Sequence, residues 1–158
     1  LMTSILPFAI EDAGTLSTEL SQQIQQLLLE FARNHPVMGE LLVATADGYE
    51  VAAVLKEEDP GRLHKIAAMT SSLLGVGAAM LNEIDAGGQK AITVEGERDN
   101  ILLWQVSTQR FPLCLTVVAS AQEPLGQLFW LLRQLAAAIA EICHAQPDLP
   151  PSQEYYYE

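Results

Sequence analysis

Three observations predict an α+β fold, a five-stranded antiparallel sheet between helices in the order α-β-β-α-β-β-β-α. Two β-prone runs flank an Asp-Gly turn. Three more such runs follow a long helical stretch, and periodic helices open and close the body of the chain. At 158 residues, 49% apolar and only 18% charged, the chain is expected to form one domain with a real core rather than a disordered segment.

Residues 1–16 show no period and read as an N-terminal arm. With no basic start and no small-residue cleavage site, they do not read as a secretory leader. The body of the domain is assigned to residues 17–145. The run "STELSQQIQQLLLEFARNHP" opens it as a helix capped by Ser17 or Thr18. Leu20, Ile24, Leu27, Leu28 and Phe31 form its apolar stripe against a Gln-rich outer face, and Asn34-His35-Pro36 stops it.

"ELLVATADGYEVAAVL" is a hairpin turning at Ala46-Asp47-Gly48, with Asp47 and Gly48 both suited to positive φ. Its strands are apolar at every position, which predicts cover on both faces. Asp59 then caps a helix that has Pro60 in its first turn and runs to about Ile84, before Gly87-Gly88. "KAITVEGERDNILLWQVS" is a second hairpin with Glu97-Arg98-Asp99-Asn100 at its tip. Residues 111–120, "FPLCLTVVAS", are apolar on both sides of the alternation and therefore belong in the middle of the sheet. After Glu123-Pro124 a last helix buries Leu125, Leu128, Leu132, Leu135, Ile139 and Ile142. Residues 146–158, "QPDLPPSQEYYYE", have no apolar period and read as a flexible acidic, Tyr-rich tail. Two helices on one face of the sheet and the middle helix on the other make a profilin-like sandwich.

Charge and chemistry remove most function classes. Twenty acidic residues against eight basic ones give a net charge of −12 and no Lys/Arg cluster, which argues against nucleic acid and anionic membrane surfaces as partners. No apolar stretch in the middle helix reaches the roughly 20 residues of a membrane span. Cys114 and Cys143 read as buried thiols of a reducing, cytoplasmic compartment. "GVGAAM" lies mid-helix and lacks the strand-to-helix turn of a dinucleotide site, so no cofactor is expected. His35, His64 and His144 have no second ligand at metal spacing, and no metal is expected. The loop carboxylates of "EEDPGR" and "VEGERDN" are solvated, so no acid–base pair is expected. Arg62 and Arg98 are the two arginines placed to touch a partner, each weighed against simple solvation.

The middle helix carries the sharpest signal. After Lys65, "IAAMTSSLLGVGAAML" has no charge. Leu63, Ile66, Thr70, Leu73, Leu74, Gly77, Leu81 and Ile84 fall on one side, wide enough to cover a sheet. Ala67, Ser71, Gly75 and Ala79 form a ridge of small residues at four-residue spacing, with Met69, Val76 and Met80 in a third sector. Small residues let two helix backbones approach, and exposed apolar sectors call for a partner. These seven residues, with Ile92 and Val94 of the adjacent edge strand, are expected to form a two-fold homodimer interface.

The ordered pieces "GELLVATADGYEVAAVL", "LHKIAAMTSSLLGVGAAML", "KAITVEGERDNILLWQV" and "LCLTVVAS" resemble the Roadblock / dynein light chain family. The resemblance implies a homodimer with a ten-stranded sheet and no enzymatic activity. It implies a regulator or scaffold for a small Ras-like GTPase, as in bacterial members of the type that controls polarity and gliding. Such regulators reshape the GTPase rather than lend it an arginine. A ligand-sensing signalling module of similar build is the alternative.

Overall fold

The computed structural model describes residues 2–4, 17–109 and 111–145. Nearly all of the N-terminal arm and the whole Tyr-rich tail lie outside the described residues. The elements are β1 (Met2–Ser4), α1 (Thr18–Asn34), β2 (Glu40–Thr45), β3 (Glu50–Leu55), α2 (Pro60–Glu83), β4 (Ala91–Glu95), β5 (Asp99–Val106), β6 (Leu113–Ser120) and α3 (Leu125–Ala145), with a 3₁₀ turn at Pro36–Met38. The five expected strands are all present in the expected order. The arm adds a sixth, three residues long, giving the antiparallel order β1-β3-β2-β6-β5-β4.

Local chemistry sets most boundaries. The Ser17 hydroxyl accepts from the Leu20 N–H (3.1 Å) and the Asp59 carboxylate from the Arg62 N–H (3.1 Å), capping α1 and α2. At the first hairpin only Gly48 takes a positive φ (+99°); Asp47 does not. The Gly48 N–H bonds to the Thr45 carbonyl and the Thr45 N–H to the Tyr49 carbonyl, so the loop has three residues with glycine in the left-handed place. The second hairpin turns earlier than its polar run suggests. Asp99 and Asn100 belong to β5, and Asn100 is buried with its side chain accepting from the Gly96 N–H.

The main core lies between the sheet and the α1/α3 layer. Leu28 of α1, Leu41 of β2, Leu115 of β6, and Leu128, Leu132 and Leu135 of α3 are all fully buried there. α3 is long and apolar enough by composition to cross a membrane, but six of its residues are committed to this core. On the opposite face α2 lies over two smaller clusters. One joins Leu42, Ala44, Ala53 and Leu55 to Leu63 and Ala67; the other joins Leu74 to Leu103 and Cys114. Both strands of the first hairpin are therefore covered on both faces, as their composition requires.

The glutamine-rich face of α1 is not all outward. Gln25 is buried, donating to the Ala53 carbonyl and accepting from the Ala53 N–H, both at 2.9 Å. Ser21 donates to the Val51 carbonyl at 2.7 Å. The reason is the sheet edge: β3 would otherwise leave peptide groups unpaired beneath the helix. β1 pairs along Ala53 to Leu55; Gln25 serves Ala53 at the end of that stretch, and Ser21 serves Val51 before it.

Candidate functional site

The sheet's two edges are treated differently. β3 is closed by β1 and α1, whereas among the described residues no strand pairs with the outer side of β4. Above that open edge runs the second half of α2. Leu63, Ala67, Thr70 and Leu74, spaced at four, three and four, are its buried residues, and none follows Leu74. A second row, Met69, Leu73, Val76, Met80 and Ile84, is spaced at four, three, four and four and points to solvent. Met69 is 61% exposed, Val76 57%, Met80 66% and Ile84 72%. On β4, Ile92 packs against the cluster under α2, so Val94, two residues on and 44% exposed, shares that face. Helix row and strand edge thus expose large apolar side chains on the same side of the molecule, which marks an interaction surface.

The expected interface residues divide. Met69, Val76, Met80, Gly75, Ala79 and Val94 are exposed, and Ile92 is half-buried beneath them. Ala67 corrects the ridge of small residues. It is fully buried in its own chain, among Ala44 and Ala53, where small side chains let α2 sit close to the hairpin. Ser71 also turns inward, its hydroxyl donating to the Ala46 carbonyl at 2.7 Å. Gly75 is the open member, with nothing within 4 Å of the place where a Cβ would stand. Leu73 and Ile84, expected against the sheet, belong instead to the exposed row. The signal for this was present in the sequence. Taking Ala67 rather than Ile66 as the second inward residue moves both to the outer side.

The two arginines also part. Arg62 is hydrogen-bonded and ion-paired to the buried Glu40 carboxylate, which also accepts from the Lys56 N–H at 2.9 Å. Glu40 raises the Arg62 pKa, first through that hydrogen bond. Arg62 therefore ties the start of α2 to β2, and a partner would have to break that pair to use it. Arg98 is exposed at the β4–β5 turn. His64 pairs with Glu50 at 3.0 Å, a tether between α2 and β3. Burial pushes both thiols up to about 11, Cys114 within the sheet and Cys143 on α3, which leaves them protonated and poor nucleophiles near neutral pH.

The Roadblock/LC7 domain family matches residues 11–119. The chain belongs to the Roadblock/LC7 family. Solved structures agree on the fold. The gliding protein MglB of Thermus thermophilus is 17% identical, with a TM-score of 0.71 over 87% of this chain and all of that one. Myxococcus xanthus MglB is 10% identical, with a TM-score of 0.68 over 78% of this chain and 97% of that one. A Roadblock/LC7 domain from Streptomyces avermitilis is 18% identical, with a TM-score of 0.65 over 74% and 94%. No curated protein sequence matches the chain. In this Roadblock/LC7 chain the apolar surface of α2 and β4 is the candidate site.

Proposed function

We propose that this chain is a non-catalytic, homodimeric regulator or scaffold that binds a small Ras-like GTPase in the cytoplasm. The observation that carries the reading is the exposed row from Met69 to Ile84 beside the open edge of β4. A two-fold arrangement sets α2 against α2 and β4 against β4, covering the apolar row and pairing the free strand in one step. Family membership supports the rest, since the Roadblock resemblance implies regulation of a GTPase without catalysis by the domain itself. One MglB structure is described as having a tetrameric arrangement, so copies of a similar fold do assemble. Arg98, exposed on the turn beside the pairing edge, is the arginine best placed to meet the GTPase.

The test has two stages. Solution mass by light scattering is measured for the native chain and for Gly75→Leu. The added side chain meets open space in the single chain, so a fall to monomer reports on the interface rather than on folding. A pull-down with small Ras-like GTPases loaded with GDP or a GTP analogue follows, with Arg98→Ala as comparison. A monomeric native chain refutes the dimer, and no retention of any GTPase in either nucleotide state refutes the partner.

A further inference from the structure

Hydrogen bonds already made by β4 restrict how a second copy can pair with its free edge. The Gln105 N–H bonds to the Lys90 carbonyl and the Gly96 N–H to the Asp99 carbonyl, each at 3.1 Å. Lys90 and Gly96 therefore turn their peptide groups toward β5, and by the two-residue period so do Ile92 and Val94. Ala91, Thr93 and Glu95 turn theirs outward, so within β4 these three are the residues that can bond to another strand. An antiparallel copy can then be centred on Ile92, Thr93 or Val94. Centred on Thr93, it pairs all three outward residues, Ala91 with the partner's Glu95 and Thr93 with its own copy. A centre at Ile92 leaves Glu95 unpaired within the strand. A centre at Val94 does the same to Ala91 and sets Lys90 opposite the partner's Arg98.

The path of α2 selects the same centre. The helix starts over β2 and β3, where Leu63 and Ala67 pack, reaches β5 and β6 at Leu74, and crosses β4 at Gly77. There the Ile92 Cδ1 lies 3.1 Å from where a Cβ would stand, and Gln89 donates to the Leu74 carbonyl at 3.0 Å. α2 thus passes over β4 at Ile92 or one residue before it. Its exposed row faces the Val94 side. Arg62 heads that row at helical spacing, and its ion-pair partner Glu40 lies in line across the sheet with Val118, Ile101 and Val94. A two-fold axis at Thr93 is one to two residues from the crossing, which sets the two copies of α2 about 7–13 Å apart, around the 8–10 Å of packed helices. An axis at Ile92 brings them within about 7 Å, where they collide, and one at Val94 parts them by about 13–20 Å, out of contact. Beyond Gly77 the helix carries Ile84 up to about 10 Å further, roughly two strand spacings. We infer that the homodimer proposed above, on which this rests, has its two-fold axis at Thr93, with Ile92 opposite the partner's Val94 and the end of α2 reaching over the partner's Val94 and Ile101.

Two tagged copies, one Ile92→Cys and the other Val94→Cys, are co-expressed and oxidised with diamide, which takes up the two hydrogens the thiols release as the disulfide forms. In this register the two positions oppose each other without hydrogen bonds between them, so their Cα atoms stand about 4.5 Å apart, within a disulfide's span. Either position and its own copy are about 8 Å apart, beyond that span. The mixed pair should cross-link at least about tenfold faster than either variant alone, with peptide mapping placing the bond between the new cysteines rather than at Cys114 or Cys143. Ala91→Cys with Glu95→Cys asks the same question on the opposite face, at about 5.5 Å, and decides it should the first pair fail to assemble. Light scattering on each sample keeps the two kinds of failure apart. A monomeric native chain refutes the homodimer and the register with it. A dimer in which Ile92→Cys alone or Val94→Cys alone links as fast as the mixture, or in which neither mixed pair links, overturns the register and leaves the homodimer standing.

Discussion

Met80→Ala tests the apolar row most directly. Met80 is 66% exposed in the single chain, so the folded monomer makes little use of it. Full burial of a methionine side chain is worth about 1.5–3 kcal/mol, and the exposed share is what a partner surface can claim. Two copies meet across a two-fold axis, and alanine keeps one carbon. The loss is then about 2–3 kcal/mol per dimer, a rise of roughly 30- to 150-fold in the dissociation constant. Sedimentation equilibrium over a dilution series reads that constant. Urea unfolding at concentrations below dissociation reads the monomer, whose stability should change by less than about 0.5 kcal/mol, as at other surface positions. A dissociation constant that moves less than about threefold, under 0.7 kcal/mol, would place Met80 outside the interface and sink the argument from its exposure. A monomer that unfolds much earlier would show that the side chain packs within its own chain.

Four further outcomes follow from contacts within the single chain. Gln25→Ala removes both side-chain partners of the Ala53 peptide groups, and the urea midpoint should fall by an amount worth about 1–3 kcal/mol. Arg62→Ala leaves the buried Glu40 carboxylate without its cation and should cost about 1–3 kcal/mol in the same assay, while GTPase retention in the pull-down stays unchanged. The cysteines give a pH signature: both folded thiols sit near 11 against an ordinary value near 9, so the unfolded chain loses these protons first. Their contribution to stability is complete below about pH 9 and is lost as pH rises toward 11, which a urea midpoint series with and without Cys114→Ala and Cys143→Ala resolves. Thiol labelling of the native protein should be slow at pH 8 and complete once it is unfolded.

The fold was legible because its signals are local. Ser17 and Asp59 announce helix starts, Gly48 announces the turn, and the unbroken apolar composition of β2, β3 and β6 announces cover on both faces. What sequence left hidden depends on where elements meet. Gln25 looks like a solvated residue on an amphipathic helix, and only the unpaired edge of β3 under α1 explains its burial. Met2–Ser4 pairs with that edge although three residues carry no period to read. The exposed row on α2 was half legible. An all-apolar helix demands two covered sides, but Ala67 and Ile66 compete for the inward place, and only the small Ala44 and Ala53 beneath decide it. Arg62 was ambiguous for a related reason, since Glu40, twenty-two positions away, is what holds it.

The unequal edges have a bearing on how large an assembly can grow. A sheet with two open edges is a monomer in the chemist's sense: each addition leaves a new reactive end, and the product is a fibre. Here β1 and the side chains of Ser21 and Gln25 act as a chain terminator on the β3 side. In the proposed dimer growth through β4 would happen once, edge to edge, and the joined sheet would end on either side in β1, a strand of only three residues. The few residues that close β3 would then limit such an assembly, and loosening them would offer a longer edge to pairing and aggregation.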